Sequence, residues 1–224
     1  GGLPYYVATR DLLSLPPPTI WVPPENHADV LSLFEAWRRL DRSDLVATVL
    51  PAPLGIPIPL GNQRHAVPFR SPHRVPCQGY ALVQTRKRLR PEFAGLPEAI
   101  IRDRRLAGAD VSEAVETVEV AFTGDSLIEV VDREAMVRNA RLLIMEVTFL
   151  DDRVSVEKAR SKGHIHLDEV IARAELFENE AILFTNFSAR YSADDIRRIL
   201  ETRLPASLRD RVTPLLPPAV REAG

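Results

Sequence analysis

The chain has 224 residues, with 29 basic and 31 acidic side chains, a net charge of -2 and 45% hydrophobic residues. That balance excludes global disorder and a coiled coil, and leaves room for nucleic-acid contact only through a local patch. A single cysteine, Cys77, excludes an internal disulfide and a multi-cysteine zinc site, and without a visible signal peptide the expected compartment is a reducing cytoplasm. No apolar run approaches the ~18 residues of a membrane span.

Thirteen of the 19 prolines fall before residue 80, so the first third is not a helical bundle. A helix is expected over 5–14, cut off by Pro16-Pro17-Pro18. Thr19 to Val22 reads as a short buried strand. A second helix runs from about residue 25 to Leu40, because Val30, Leu33, Phe34 and Trp37 recur at helical spacing. Strands are expected at Leu45–Leu50, Ala66–Phe69 and Gly79–Gln84, with 51–59 as an extended edge or loop. Residues 85–112 read as a basic insertion between two strands, with a helix from Pro97 to Leu106. From 117 onward strands alternate with helices: strands at 117–122, 142–146, 181–185 and 212–216, helices at 132–139, 167–178 and 192–203. Such alternation implies an α/β layered fold, and polar residues at the strand ends are the places to look for chemistry.

Four endings stand out. Phe122-Thr123-Gly124-Asp125-Ser126 puts a carboxylate after a tight turn, as a metal ligand, a general base or a backbone cap. Glu146 closes a wholly apolar strand, either as the orienting partner of a histidine or exposed at the strand end. Gly163-His164-Ile165-His166 precedes a helix; the pair can chelate a metal, or one histidine can stand at a helix N-terminus that favours phosphate, and loop histidines without function are also frequent. Thr185-Asn186-Phe187-Ser188-Ala189-Arg190-Tyr191 ends a strand in a polar-aromatic turn, which also fits a simple helix cap. His73, before the strand at 79–84, is on its own a surface histidine.

The order and spacing of these motifs are specific as a set. His73-x-x-Pro76-x-x-Gly79-Tyr80, then Phe122 to Ser126, Glu146 to Asp152, Gly163 to His166 and Phe187 to Tyr191 resemble ribonuclease Z, the metallo-β-lactamase-fold endonuclease that trims the 3′ ends of precursor tRNA. Gly1-Gly2-Leu3-Pro4-Tyr5-Tyr6 and Pro18-Thr19-Ile20-Trp21 look like its short, plant-type members. The resemblance covers 1–216, implies an αββα sandwich without its first strands, and leaves 217–224 as a tail. It also implies a cytoplasmic homodimer that acts on precursor tRNA with zinc as cofactor. By resemblance, His73 is a zinc ligand and Asp125 the carboxylate bridging two zincs. His164 is the proton donor to the scissile phosphate and Glu146 its orienter. Ser188, Arg190 and Tyr191 belong to the last motif. The arginine-rich segment (Arg86, Lys87, Arg88, Arg90, Arg102, Arg104 and Arg105) is expected to meet RNA phosphates, or else to be a solvated surface helix. Two departures matter. The family signature H-x-H-x-D-H, which lies just upstream of the Gly-Gly-Leu, is not in this sequence, and Asn186 stands where the family has a zinc-binding histidine. The chain therefore reads as the C-terminal two-thirds of the domain, binding zinc weakly and inactive by itself. A catalytically degenerate relative that binds RNA or a partner, and a hydrolase of a small substrate on the same fold, are the alternatives.

Overall fold

The computed structural model describes residues 2–216. Pro4 in the first turn presets the φ of helix α1 (Leu3–Leu12), which therefore starts two residues before the expected helix. Strand β1 (Thr19–Val22) pairs in parallel with β2 (Thr48–Pro51), and helix α2 (His27–Asp41) connects them. Strand β2 lies three residues beyond the expected Leu45 start, because Leu45 leaves the strand direction with a positive φ and drops into the small core of Val7, Ile20, Val22 and Phe34.

The main sheet has seven strands in the order β3 (Ile58–Gly61), β4 (Arg64–Arg70), β5 (Gln78–Leu89), β6 (Ser112–Phe122), β7 (Leu142–Glu146), β8 (Ala181–Thr185) and β9 (Val212–Pro214). Pairs from β3 to β6 are antiparallel, and pairs from β6 to β9 are parallel. The basic stretch 85–112 is built on the two strands that flank it. Strands β5 and β6 run on past the sheet as a two-stranded arm, with Arg86 opposite Val115 and Arg88 opposite Glu113. Ladder pairing overrides the poor strand composition of Ser112–Glu116. Helix α3 (Glu98–Leu106) caps the arm.

The expected helix 132–139 is two short helices, α4 (Glu129–Arg133) and α5 (Ala135–Asn139), broken where Glu134 is extended. After α6 (Val156–Lys162), the helix expected over 167–178 is α7 (Leu167–Ile171), followed by a single 3-10 turn. There the Arg173 guanidinium reaches Asp132 at 2.8 and 3.0 Å. Helix α8 (Ala193–Arg203) carries a capping box between Ser192 and Asp195, and α9 (Ala206–Arg209) precedes β9. These helices bury Val131, Leu143, Met145, Leu167, Phe184 and Leu208 in one core. None of the described helices is long and apolar enough to cross a membrane.

Candidate metal and acid-base site

Register gathers the site. Phe122 lies opposite Ile144, Glu146 opposite Thr185, and Tyr80 opposite Phe122. The exits of β6, β7 and β8 and the entry to β5 therefore share one end of the sheet. In α/β sheets the crevice outside the carboxyl ends of the strands is where ligands bind.

Glu146 is at the centre and is 1% exposed. Its Oε1 accepts from the Ser126 amide at 2.8 Å and faces His164 Nδ1 at 2.9 Å. Its Oε2 accepts from the Thr148 hydroxyl at 2.5 Å and from the Ile165 amide at 3.4 Å. Burial pushes the Glu146 carboxyl above its ordinary range, and the hydrogen bonds from Thr148, Ser126 and His164 oppose that rise. With a carboxylate on Nδ1, the half-buried imidazole of His164 presents Nε2 outward. Of the alternatives for Glu146, the geometry is that of a histidine orienter, not of a carboxylate exposed at the strand end.

The two histidines of the 164–166 pair part company. His166 is buried and caps α7: its Nδ1 accepts from the Asp168 amide at 3.1 Å and its Nε2 faces the Asp151 carbonyl at 3.3 Å. Only His164 faces the site.

His73 lies across from His164, with ring centroids 5.6 Å apart. Its Nδ1 bonds the Gly163 carbonyl at 2.9 Å, which leaves Nε2 free. A metal-binding histidine is commonly anchored in this way, with one ring nitrogen on a backbone carbonyl. Gly163 permits the approach, since a Cβ there would lie 2.4 Å from His73 Nδ1. Nothing in the sequence pattern signalled this role; only the contact across 90 residues reveals it.

Asp125 is exposed, beyond the left-handed Gly124. Asp125, Glu146 and His164 each offer a donor atom within 4.8 Å of the others, a group that could hold a metal ion. Asn186 follows β8 with φ +57°, and its Nδ2 donates to Asp125 Oδ1 at 3.1 Å. Cys77, half-buried beside this carboxylate, has a thiol pushed up first by burial and then by the Asp125 charge.

The last motif braces the site from behind. The Ser188 amide donates to the Thr148 carbonyl at 3.0 Å, and the Tyr191 hydroxyl accepts from the Leu150 amide at 3.0 Å. The Arg190 side chain points to solvent. Thr148 and Gly163 lie inside the motifs picked from the sequence, but their contacts with Glu146 and His73 were missed.

In the arm, Arg86 pairs with Glu119, Arg90 with Asp110 and Arg102 with its neighbour Asp103. Lys87, Arg88 and Arg105 line a cleft of about 410 Å³ between strand and helix, and Arg104 is exposed nearby.

Solved structures with this architecture define its class. The metallo-β-lactamase fold protein YhfI of Bacillus subtilis aligns with a TM-score of 0.54 at 16% identity, over 95% of this chain and 68% of that one. The short form of human tRNase Z aligns with a TM-score of 0.54 at 20% identity, over 84% of this chain and 68% of that one. At those identities the likeness establishes the fold alone: the chain has the metallo-β-lactamase fold. No family model matches it. In sequence, tRNase Z TRZ1 of Arabidopsis thaliana is 41% identical over 214 residues, 95% of this chain and 76% of that protein. The chain belongs to the tRNase Z family.

Proposed function

We propose that this chain carries the acid-base machinery of a metal-dependent endoribonuclease that removes 3′ trailers from precursor tRNA. The observation that carries the reading is the His164–Glu146 pair at 2.9 Å, beside Asp125, in a tRNase Z relative. Glu146 is fixed by donors from Ser126, Thr148 and Ile165, so it holds His164 in one orientation. His164 Nε2 then carries the proton that the leaving alkoxide needs. By family, His73 Nε2 and the Asp125 carboxylate would hold a divalent ion, zinc, which would supply an activated water and charge stabilisation; the free Nε2 of His73 and the place of Asp125 in the donor cluster support this. In the arm, Lys87, Arg88, Arg104 and Arg105 form no ion pair among the described residues and would meet tRNA phosphates, which position the substrate without reading its sequence. The pairing of two copies and a cytoplasmic setting belong to the same reading. The reduced thiol of Cys77 and the exposed Leu33, Trp37 and Leu40 on α2 are compatible with them.

A second reading, an RNA binder that does not cut, is favoured by Asn186 and by the donor count. His73 and Asp125 are two donors where a catalytic zinc site usually carries three. One experiment separates the readings: labelled precursor tRNA incubated with the chain and zinc, scored for binding and trailer release. Release that falls by about 10²–10⁴ in His164→Ala supports the nuclease. Binding without release supports the second reading, and neither binding nor release removes both.

A further inference from the structure

The amide of Asn186 has a forced orientation. Its Nδ2 lies 3.1 Å from Asp125 Oδ1 and 3.5 Å from Thr148 Oγ1. The Thr148 hydroxyl spends its proton on Glu146 Oε2 at 2.5 Å, so its oxygen can only accept from Asn186. A carboxylate only accepts as well. Asn186 must therefore present its NH2 group to both partners, and its carbonyl oxygen faces away. Turned over, that oxygen would stand against a carboxylate oxygen of like charge. The backbone supports the same pose, since φ +57° is a region asparagine tolerates better than most residues.

A chain of directed hydrogen bonds results: Asn186 to Asp125, Asn186 to Thr148, Thr148 to Glu146, and Glu146 with His164. It runs through the three residues whose donor atoms cluster within 4.8 Å. Position 186 flanks that cluster on the Asp125 side, with Nδ2 3.1 Å from Asp125 Oδ1. An imidazole there would set a nitrogen donor beside the Asp125 carboxylate, whereas a neutral amide aiming its protons inward repels a cation. The lone pairs of Glu146 are already taken by four partners, Ser126, His164, Thr148 and Ile165.

We propose that Asn186 is a hydrogen-bond bridge and not an ion ligand: it ties the Asp125 carboxylate to the Glu146–His164 pair and keeps out the ion that a histidine at this position would hold. Asn186 is thus a positioning residue acting through Thr148. The inference rests on the tRNase Z reading only for the histidine expected at this position.

The test counts zinc and needs no turnover. The 224-residue chain, Asn186→His and Asn186→Gly are brought to the same buffered free zinc, and zinc per chain is read by native mass spectrometry. Glycine suits the left-handed backbone and removes the amide alone. The histidine variant is expected to hold one zinc more than the parent, and the glycine variant no more than the parent. In the glycine variant the Nδ1 proton of His164, followed by NMR, is expected to exchange about tenfold faster, the loss of roughly one neutral hydrogen bond in the bridge. An unchanged zinc count in Asn186→His overturns the proposal, because other features would then exclude the ion. A zinc lost in Asn186→Gly overturns it too, because Asn186 would then be a ligand. Trailer release enters none of these outcomes, so a failed nuclease reading and a failed bridge are told apart.

Discussion

Replacing Tyr191 by Phe isolates one hydrogen bond behind the site. The ring is 6% exposed, and the Arg153 guanidinium lies 5.0 Å from its centroid. Phe keeps that packing and that cation contact, so the area term nearly cancels. The lost hydroxyl accepts from the Leu150 amide at 3.0 Å and donates to Asp151 Oδ1 at 3.2 Å. Asp151 is partly exposed, and water replaces its partner. Leu150 is fully buried, and the Leu167 amide holds the carbonyl of the same peptide, that of Phe149, at 2.8 Å, so the peptide cannot turn to find water. A buried donor left unpaired costs about 1–3 kcal/mol, and ~2 kcal/mol is expected here. In urea melts the midpoint should fall at unchanged slope, and in thermal melts Tm should drop by about 4–8 °C for a chain of this size. A loss below about 0.5 kcal/mol would refute the argument that the hydroxyl satisfies a buried amide. So would a loss equal to that of Tyr191→Ala, for which the deleted ring predicts about 3–5 kcal/mol.

Three further perturbations follow from the same geometry. Gly163→Ala places a Cβ 2.4 Å from His73 Nδ1 on a residue with φ +87°. It should cost about 1–3 kcal/mol in denaturant melts and weaken zinc binding by about 10–100-fold; unchanged zinc affinity would remove His73 from the ligand set. Burial raises the Glu146 carboxyl in the folded state, so its contribution to stability is full below the unfolded value near 4.3 and is lost as pH rises through the raised folded value. Urea melts from pH 4 upward should therefore show the parent losing stability relative to Glu146→Gln, and a gap that widens in the parent's favour would contradict that sign. In the arm, Lys87→Ala, Arg88→Ala, Arg104→Ala and Arg105→Ala should each flatten the dependence of log affinity for precursor tRNA on log salt by about 0.7–0.9. Arg90→Ala, whose charge Asp110 already neutralises at 2.7 Å, should change the slope less, and equal slopes across all five variants would unseat the arm as the phosphate contact.

What was legible in the sequence is what local chemistry encodes. Leu142–Glu146 and Ala181–Thr185 are apolar runs of the right length for parallel strands and sit where expected, with Leu143, Met145, Ile182 and Phe184 buried on one face. Ser192 followed by Asp195 announces the start of α8, and the structure places its capping box there. Where pairing decides, the reading failed. Ser112–Glu116 is polar and becomes strand because it lies against Thr85–Leu89. The break at Glu134 has no sequence mark either, since the flanking Val130, Val131 and Val137 fit one helix or two. At the site, Asp125, Glu146 and His164 could be picked out as motifs. The partners that fix them could not, because the Asn186–Asp125 and His73–Gly163 contacts span 61 and 90 residues.

The sheet itself explains why these distant residues meet. Strand β6 is where the pairing changes from antiparallel to parallel. Its antiparallel neighbour β5 begins where β6 ends, so the His73 loop arrives at the same rim that Asp125 leaves. Its parallel neighbour β7, and β8 beyond it, end there as well and deliver Glu146 and Asn186. The loop after β7 bridges Phe149 to His166, which brings His164 alongside. Each of these candidate site residues therefore comes from a different loop or strand end, and their distances are set by strand register. A slip of one residue of β7 against its neighbours β6 and β8 would turn Glu146 to the other face and part it from Ser126 and His164. The apolar runs Leu142–Met145 and Ala181–Phe184, with Leu143, Met145, Ile182 and Phe184 almost wholly buried, thus hold the chemistry in place by fixing that register.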